Sequence, residues 1–452
     1  MAALDGTPLN NAAAIGVEME KLRDSVYAQF MQDDTFLSRI PAKADIEVSE
    51  RLCRIPILVQ PGSTFGQFVP DGTSDSMGTG GGSIYDVGVC TPVYFVQSCQ
   101  VTKEAEWGTN SKEKAVEDVF KEEFKINLKQ FRTNIEGLLA SSDGSGTLGT
   151  VTATPGSAAT SLAVSNANDF QAGCTYQVFS ALGGTNRGTI LVLTVDSINN
   201  ILYLSEVSSA YFPSGTVSGD LLIVSGANGS ATQSDSPDRY TTATVSASLN
   251  GVPAINISTT SGDWFGIPRS TYPGVLNTPY VNGASGALTP QQIMLAESLM
   301  QRANGAEAEE LDEIVIQANV DQVTAWESLG LVTTTGVATA FTSKNGANDG
   351  GEQRADFLPK NRIKTLAGHE LLVNIKAQQQ RIDLMCLKYW FRVESKPASL
   401  YDVDGVTVFP LYGSDGGVAP TSAFYFVTGM QMANNKPRAG AYINSLALPT
   451  GY

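Results

Sequence analysis

Nine apolar residues, Val116, Val119, Phe120, Phe124, Leu128, Phe131, Ile135, Leu138 and Leu139, recur at steps of three and four between positions 111 and 139. That period puts them on one stripe of a single long helix. Asn110 followed by Glu113 forms a capping-box-like start. Glu113, Glu117 and Asp118 sit early and Lys125, Lys129 and Arg132 late, in the sense that favours the helix dipole. At 1.5 Å per residue the helix is about 44 Å long, against about three turns for an average helix. Such a helix is a structural beam, and the rest of the chain has to be arranged along it.

Downstream of the beam the composition changes. Ser141-Ser142-Asp143-Gly144-Ser145-Gly146-Thr147 ends the helix, and no lysine occurs from 130 to 343. Short β-rich runs follow at regular spacing: Thr150–Thr154, Ser161–Ser165, Cys174–Ser180, Thr189–Val195, Ile201–Ser205 and Asp220–Ser225. Strands this short, separated by Gly, Asn and Ser turns, predict a small sandwich or barrel. The polar stretch Gly226–Asp238 reads as an exit linker, so this unit is expected to be an autonomous insertion. A strand-like Tyr240–Leu249 comes next. Thr289-Pro290 then opens a helix through Met300, with Pro at the favoured first position. A strand at Glu313–Gln317, a helix at Val320–Leu329 and further strands at Leu384–Val393, Val406–Tyr412 and Ala423–Thr428 give an α/β unit followed by strands.

Upstream, residues 1–14 are small and polar. Ile15, Met19, Leu22, Val26 and Phe30 predict a short amphipathic helix that packs on its own domain or docks on a neighbour. Val48–Val59 and Val87–Val101 are β-rich and flank the flexible Ser74–Ser83. They predict a long two-stranded excursion with a glycine-rich end. An isolated hairpin is marginal in water, so it is expected to lie on something else, such as another copy of the chain. Gly78–Ser83 is not a nucleotide loop, because strand-like Ile84-Tyr85-Asp86-Val87 follows it rather than a helix N-terminus and no Gly-Lys-Ser/Thr is present.

Composition removes several classes of function. Asp+Glu 45 against Lys+Arg 29 gives a formal net charge of −16, which repels phosphate and argues against a nucleic-acid reader. His369 is the one histidine, so a Ser-His-Asp triad or a multi-histidine metal site has little to draw on. It is expected to be structural. Cys53, Cys90, Cys99, Cys174 and Cys386 show no C-x-x-C spacing and fit neither a zinc site nor a disulfide framework. Buried thiols in a reducing compartment are the simpler expectation. Asp402-Val403-Asp404-Gly405 resembles the start of a calcium loop but has Thr407 where the turn glycine belongs and no Glu at the twelfth position; a hairpin turn is expected. Asn228-Gly229-Ser230 and Asn256-Ile257-Ser258 match the glycosylation pattern. The N-terminus lacks the charged and apolar regions of a secretory signal, so these matches are expected to carry no sugar. No apolar run approaches the roughly 20 residues of a membrane span. The expectation is a non-enzymatic protein with no cofactor and no metal.

The order of parts resembles the major capsid protein of tailed bacteriophages, the Hong Kong 97-type fold shared with encapsulins. The parts are an arm, a glycine-tipped hairpin, a spine-like helix, an α/β unit interrupted by a β insertion, and C-terminal strands. The stretch Gly262-Asp263-Trp264-Phe265-Gly266-Ile267-Pro268-Arg269-Ser270, then Gly286-Ala287-Leu288-Thr289, is similar to a pattern recurring in capsid proteins that carry such an insertion. The resemblance covers about 15–452 and implies an α+β fold. It divides the chain into an N-terminal arm (1–46), an E-loop hairpin (47–107), the spine helix of a peripheral domain (108–141) and an inserted all-β domain (142–238). Peripheral strands and a connector (239–288), an axial-type α/β domain (289–400) and C-terminal strands (401–452) complete it. It implies a structural subunit that self-assembles into hexamers and pentamers of an icosahedral shell around double-stranded DNA, held without specific binding. Separate scaffolding, portal and decoration proteins would be partners, with no membrane. The location would be the virion, after assembly in the host cytoplasm. The alternatives are an encapsulin-like compartment shell and a β-rich carbohydrate-binding surface or tail protein.

Two expectations concern assembly residues. Phe65 and Phe68 flank Gly66 in an otherwise polar stretch and are candidate contacts to a neighbouring subunit. Some members of the family crosslink subunits through an E-loop lysine, but no lysine occurs between Lys43 and Lys103, so this shell is expected to be held noncovalently.

Overall fold

The computed structural model describes residues 36–42, 53–60, 62, 81–102, 112–156, 159–207, 210–227, 248–259, 261–305, 311, 313–332, 365–366, 369–412 and 418–448; for 102, 112–123, 327–332 and 419–420 it describes the backbone only. The architecture is mixed α+β. The amphipathic helix of residues 15–30, the glycine-rich tip up to residue 80 and both Phe65 and Phe68 lie outside the described residues.

The long helix runs over Lys112–Ser141, and its expected cap at Asn110 lies outside the described residues. Phe124, Leu128, Phe131, Ile135, Leu138 and Leu139 are buried, as the stripe predicts. They pack on a sheet whose central strand is Val418–Asn434. Phe124 stacks on Phe424 and tilts against Phe426, with centroids 5.9 and 5.2 Å apart, and Phe131 stacks on Phe426 at 6.0 Å. Each fully buried phenyl contributes about 1.5–3 kcal/mol through area removed from water, so this aromatic block fixes helix to sheet. The central strand pairs antiparallel with Val93–Thr102 on one side. On the other it pairs with Trp390–Leu400 and Val408–Tyr412.

The helix ends further on than its charge pattern suggests. Its last turn holds no basic residue, because Lys125, Lys129 and Arg132 stand more than two turns before Ser141, beyond the reach of the C-terminal dipole. Polar contacts do the work instead. Ser141 Oγ donates to the Gly137 carbonyl at 2.8 Å, Gln378 Nε2 to Ser141 O at 3.3 Å, and Gly251 N to Ser142 O at 3.1 Å. A Cβ on Gly251 would lie 2.5 Å from Ser142 O and 2.6 Å from Leu138 O, so only glycine lets the returning chain close on the helix end.

The insertion is a closed barrel. Its strands, Thr147–Thr150, Ser161–Ala163, Thr175–Phe179, Asn186–Asp196, Ile201–Ser205 and Leu221–Val224, form one antiparallel six-stranded sheet. The first and second are its two edges. Those edges meet each other: Val151 bridges Val164, Thr152 N donates to Ala163 O at 3.0 Å and Ser165 N to Thr150 O at 2.9 Å. Closure leaves no free edge. Leu162, Val164, Val178, Ile190, Val192, Leu202, Leu204 and Leu222 fill the interior with Phe170 and Tyr176. The chain enters and leaves through a narrow neck, where Asp143 bridges Asn250 and Ser248 N donates to Gly144 O at 3.0 Å. Gln431, on the central strand, holds the neck by accepting from Asn250 N at 2.7 Å and donating to Ser248 O at 3.2 Å.

The α/β unit is a six-stranded mixed sheet in the order Tyr280–Asn282, Gly440–Asn444, Ile382–Cys386, Ile314–Ala318, His369–Val373, Thr365–Leu366. Helix Pro290–Asn304 covers it with Ile293, Ala296 and Met300, and starts at a full capping box between Thr289 and Gln292. The sheets cut across the divisions expected at 288/289 and 400/401, because Tyr280–Asn282 and Gly440–Asn444 both belong to this sheet. Two apparently single strands are also double. Leu384–Val393 splits at the 3-10 turn Leu387–Tyr389, its first half joining the α/β sheet and its second the sheet beneath the long helix. Val87–Val101 splits at Thr91-Pro92 into a hairpin strand, Ile84–Cys90, and the sheet strand Val93–Thr102.

A buried polar knot ties the chain that follows the neck to the α/β sheet. Arg381 Nε reaches both oxygens of Asp383 at 3.0 and 2.9 Å, and its Nη2 donates to the Asn256 carbonyl. Asn256 Nδ2 donates to Asp383 Oδ1 at 2.7 Å, and the guanidinium lies 4.2 Å from the Tyr442 ring centroid. Asn256 is therefore a buried structural amide inside its glycosylation-like triplet.

Candidate assembly surfaces

The hairpin strands Cys53–Gln60 and Ile84–Cys90 pair antiparallel, from Cys53 opposite Cys90 to Gln60 opposite Ile84. At the root, Cys53, Ile55, Ile57 and Cys90 pack against Trp264, Ile267, Leu276 and Phe391 of the same chain. Val89 N donates to Phe265 O at 2.7 Å, and Gly88 leaves room for the Trp264 ring, 2.7 Å from where its Cβ would stand. The sequence predicts that the hairpin lies on something else, such as another copy; at its root that support is the chain's own Trp264 loop. Toward the tip burial falls off along Ile84–Cys90, while along Cys53–Gln60 it alternates from face to face. Leu58, Ile84 and Tyr85 are 49%, 47% and 67% exposed, and Leu58 and Tyr85 are register partners on one face.

The Trp264 loop owes its shape to a buried cation. Asp263–Trp264 and Ile267–Pro268 form a minimal antiparallel pair whose turn has Phe265 at φ 45° and Gly266 at φ 83°. Arg269, buried, donates to the carbonyls of Leu276, Ile257, Ala254 and Ile255. Burial lowers its pKa to about 10, so it remains charged at neutral pH and staples the loop to the chain that follows the neck.

A second uncovered apolar face lies on the sheet, opposite the long helix. Tyr94 and Val96 are 59% and 66% exposed and stand opposite Gly429 and Val427. The Tyr94 ring lies over Gly429, where a Cβ would meet it at 2.6 Å. Tyr401, Phe409 and Tyr425 cluster on the same sheet with centroids 5.9 to 6.4 Å apart.

The segment leading in from the N-terminus is docked through one carboxylate. Glu136, buried on the long helix, accepts from Phe36 N at 3.0 Å and Leu37 N at 3.1 Å, and from Asn374 Nδ2 at 3.0 Å. Phe36, Leu37 and Ile40 are buried around it, and Arg392 N donates to Pro41 O at 3.0 Å. Next to Glu136, Lys376 crosses the helix over Gly137 and faces Asp169 of the barrel. Burial raises the Asp169 pKa to about 7 against the opposing pull of Lys376, and burial lowers that of Lys376.

The remaining sequence candidates fall singly. His369 Nε2 lies 3.6 Å from Glu297 Oε1 on the covering helix. Asp402 Oδ1 accepts from Gly405 N at 2.8 Å, and Val403 pairs with Val406, so this segment is the expected turn. Among the described residues no three His, Cys, Asp or Glu side chains gather to hold a metal, and no helix is long and apolar enough to cross a membrane. Sequence reasoning singled out the Trp264 stretch but not Glu136, Leu58 or Tyr85. The signal for Glu136 was a lone acid within the apolar stripe.

No family model matches the chain, and no curated protein matches it. The chain is similar to solved shell proteins. It aligns with the capsid asymmetric unit of cyanophage A-1(L) over 91% of this chain and 93% of that one, at 12% identity and TM-score 0.47. It aligns with the capsid of the empty GTA particle over 91% and 90%, at 9% identity and TM-score 0.42. The holo-SrpI encapsulin of Synechococcus elongatus PCC 7942 aligns over 92% and 89%, at 9% identity and TM-score 0.41.

Proposed function

We propose that the chain is the major capsid protein of a tailed-phage-type particle: a non-enzymatic subunit that assembles through hexamers and pentamers into a closed shell around double-stranded DNA. The observation that carries this reading is the hairpin, rooted on its own Trp264 loop and presenting uncovered Leu58, Ile84 and Tyr85 beyond that root. Such a surface gains its free energy when a neighbour covers it. The docked segment at Phe36–Ala42, the spine helix and the inserted barrel follow in the order this architecture requires. A net charge of −16 suits a wall that must not hold on to packed DNA. Scaffolding, portal and decoration proteins are separate chains in this reading, assembly takes place in the host cytoplasm, and the mature location is the virion.

Electron microscopy and sedimentation of the protein expressed alone test it. Closed shells or capsomer tubes are expected, and a dispersed monomer at high concentration would refute it. Replacing Phe65 and Phe68 together with Ala, in the hairpin's outer stretch, should leave a folded protein with sharply reduced particle yield. Unchanged yield would remove those two residues from the interface.

A further inference from the structure

Two of the five cysteines, 37 positions apart in sequence, meet in the structure. Cys53 and Cys90 are direct register partners across the hairpin root. Val89 N points away from the partner strand, toward Phe265 O, so Arg54 and Val89 form a non-hydrogen-bonded pair. The next pair along, Cys53 with Cys90, is therefore hydrogen-bonded, with Cα atoms about 5.5 Å apart. That separation lies inside the range a disulfide spans. Both side chains are buried, in the same cluster as Trp264 and Phe391. Cys99 belongs to the helix core, Cys174 to the barrel and Cys386 to the α/β sheet, opposite Ile314, so none of them is part of this site.

We propose that Cys53 and Cys90 form a thiol–disulfide site that closes the hairpin covalently at its root when the particle meets an oxidising environment. The oxidant is a small-molecule disulfide of the glutathione class. A thiolate of the pair attacks one of its sulfurs and expels one small thiol; the other cysteine then attacks the mixed disulfide and expels the second. Two protein thiols lose two protons and two electrons, and one external disulfide becomes two thiols. Burial, with Cys53 alongside, raises the Cys90 thiol well above its ordinary value. The thiolate is the nucleophile, so reaction waits for the root to lift from Trp264 and Phe265. The same burial shields the finished bond from reductants. The site belongs to the hairpin itself and holds for a monomer as for a shell.

The test treats the full chain with oxidised glutathione, in native buffer and in urea below the global transition, followed by alkylation and digestion without reduction. The expected result is a linked peptide joining Cys53 to Cys90, an intact mass lower by two hydrogens, and faster formation in urea. A melting temperature several degrees higher should return to the starting value on reduction and be absent in Cys53→Ser. If that variant does not fold, reversal by reductant in the natural chain gives the same comparison. The proposal is overturned if both residues remain alkylated in both buffers, or if either is joined to a different cysteine.

Discussion

Replacing Glu136 with Ala should release the chain segment at Phe36–Ala42 without unfolding the protein. The carboxylate is the acceptor for two buried backbone amides, Phe36 N at 3.0 Å and Leu37 N at 3.1 Å, and for Asn374 Nδ2 at 3.0 Å. Each buried donor left without an acceptor costs about 1–3 kcal/mol. Water can enter the space the carboxylate leaves, which puts the three groups at the low end, about 3 kcal/mol together. Phe36, Leu37 and Ile40 still bury their side chains, at about 1.5–3 kcal/mol each, so the segment loosens before the core does. A loss of 3 kcal/mol corresponds to about a hundredfold change in the local opening equilibrium. Hydrogen exchange read by mass spectrometry on a peptide covering Phe36–Ile40 measures it directly. Protection there should fall by about that factor while peptides from Leu128–Leu139 keep theirs, and Glu136→Gln, which keeps one carbonyl acceptor, should fall between. Unchanged exchange at Phe36–Ile40 in a folded Glu136→Ala protein would refute the assignment.

The inserted barrel, expressed as residues 146–236, should fold alone, because its ring of strands closes on itself; a fragment without cooperative melting or dispersed amide signals would contradict this. Mature particles boiled in detergent should run as one band near the chain mass of 47.8 kDa, since no lysine occurs between Lys43 and Lys103 at the hairpin base and a guanidinium such as Arg54 does not act as the amine nucleophile; a ladder of covalent multimers would overturn that. Asp169 has its folded pKa raised to about 7, so the folded state binds a proton more tightly than the unfolded one, and stability should decline as pH rises from the ordinary carboxyl range through about 7. Asp169→Asn should flatten that part of the denaturation profile measured between pH 5 and 8, and an unchanged slope would sink the idea.

The elements legible in the sequence were those whose partners are close along the chain. The stripe from Phe124 to Leu139 gave the helix, Thr289-Pro290 with Gln292 gave a capped start, and the turns between short strands gave the barrel's strands. What stayed hidden was pairing at long range. Leu384–Val393 reads as one strand because Leu, Met, Trp and Phe look alike in any buried sheet, and nothing local says that Leu387–Tyr389 hands the chain from one sheet to another. Val87–Val101 hid the same kind of transfer, although Pro92 marked the break. Closure of the barrel rests on Val151 meeting Val164, a contact no periodicity predicts. At the candidate surfaces, the Trp264 stretch stood out by composition. The uncovered face of Leu58 and Tyr85 depended on what covers the hairpin, which is a property of the folded chain.

The neck at Ser142 and Gly251 also has a mechanical consequence. The barrel hangs from adjacent residues joined by Gly251 N to Ser142 O and Ser248 N to Gly144 O, so it sits in parallel with the main body and not in series. Tension between the long helix and the chain that follows can pass across the neck ahead of the barrel, whose other tie to the helix is side-chain contact such as Gln130 Nε2 to Ala172 O at 2.8 Å. A domain of another size could hang from the same neck without lengthening that path. In the capsid wall proposed above, this is where the chain has most room to vary.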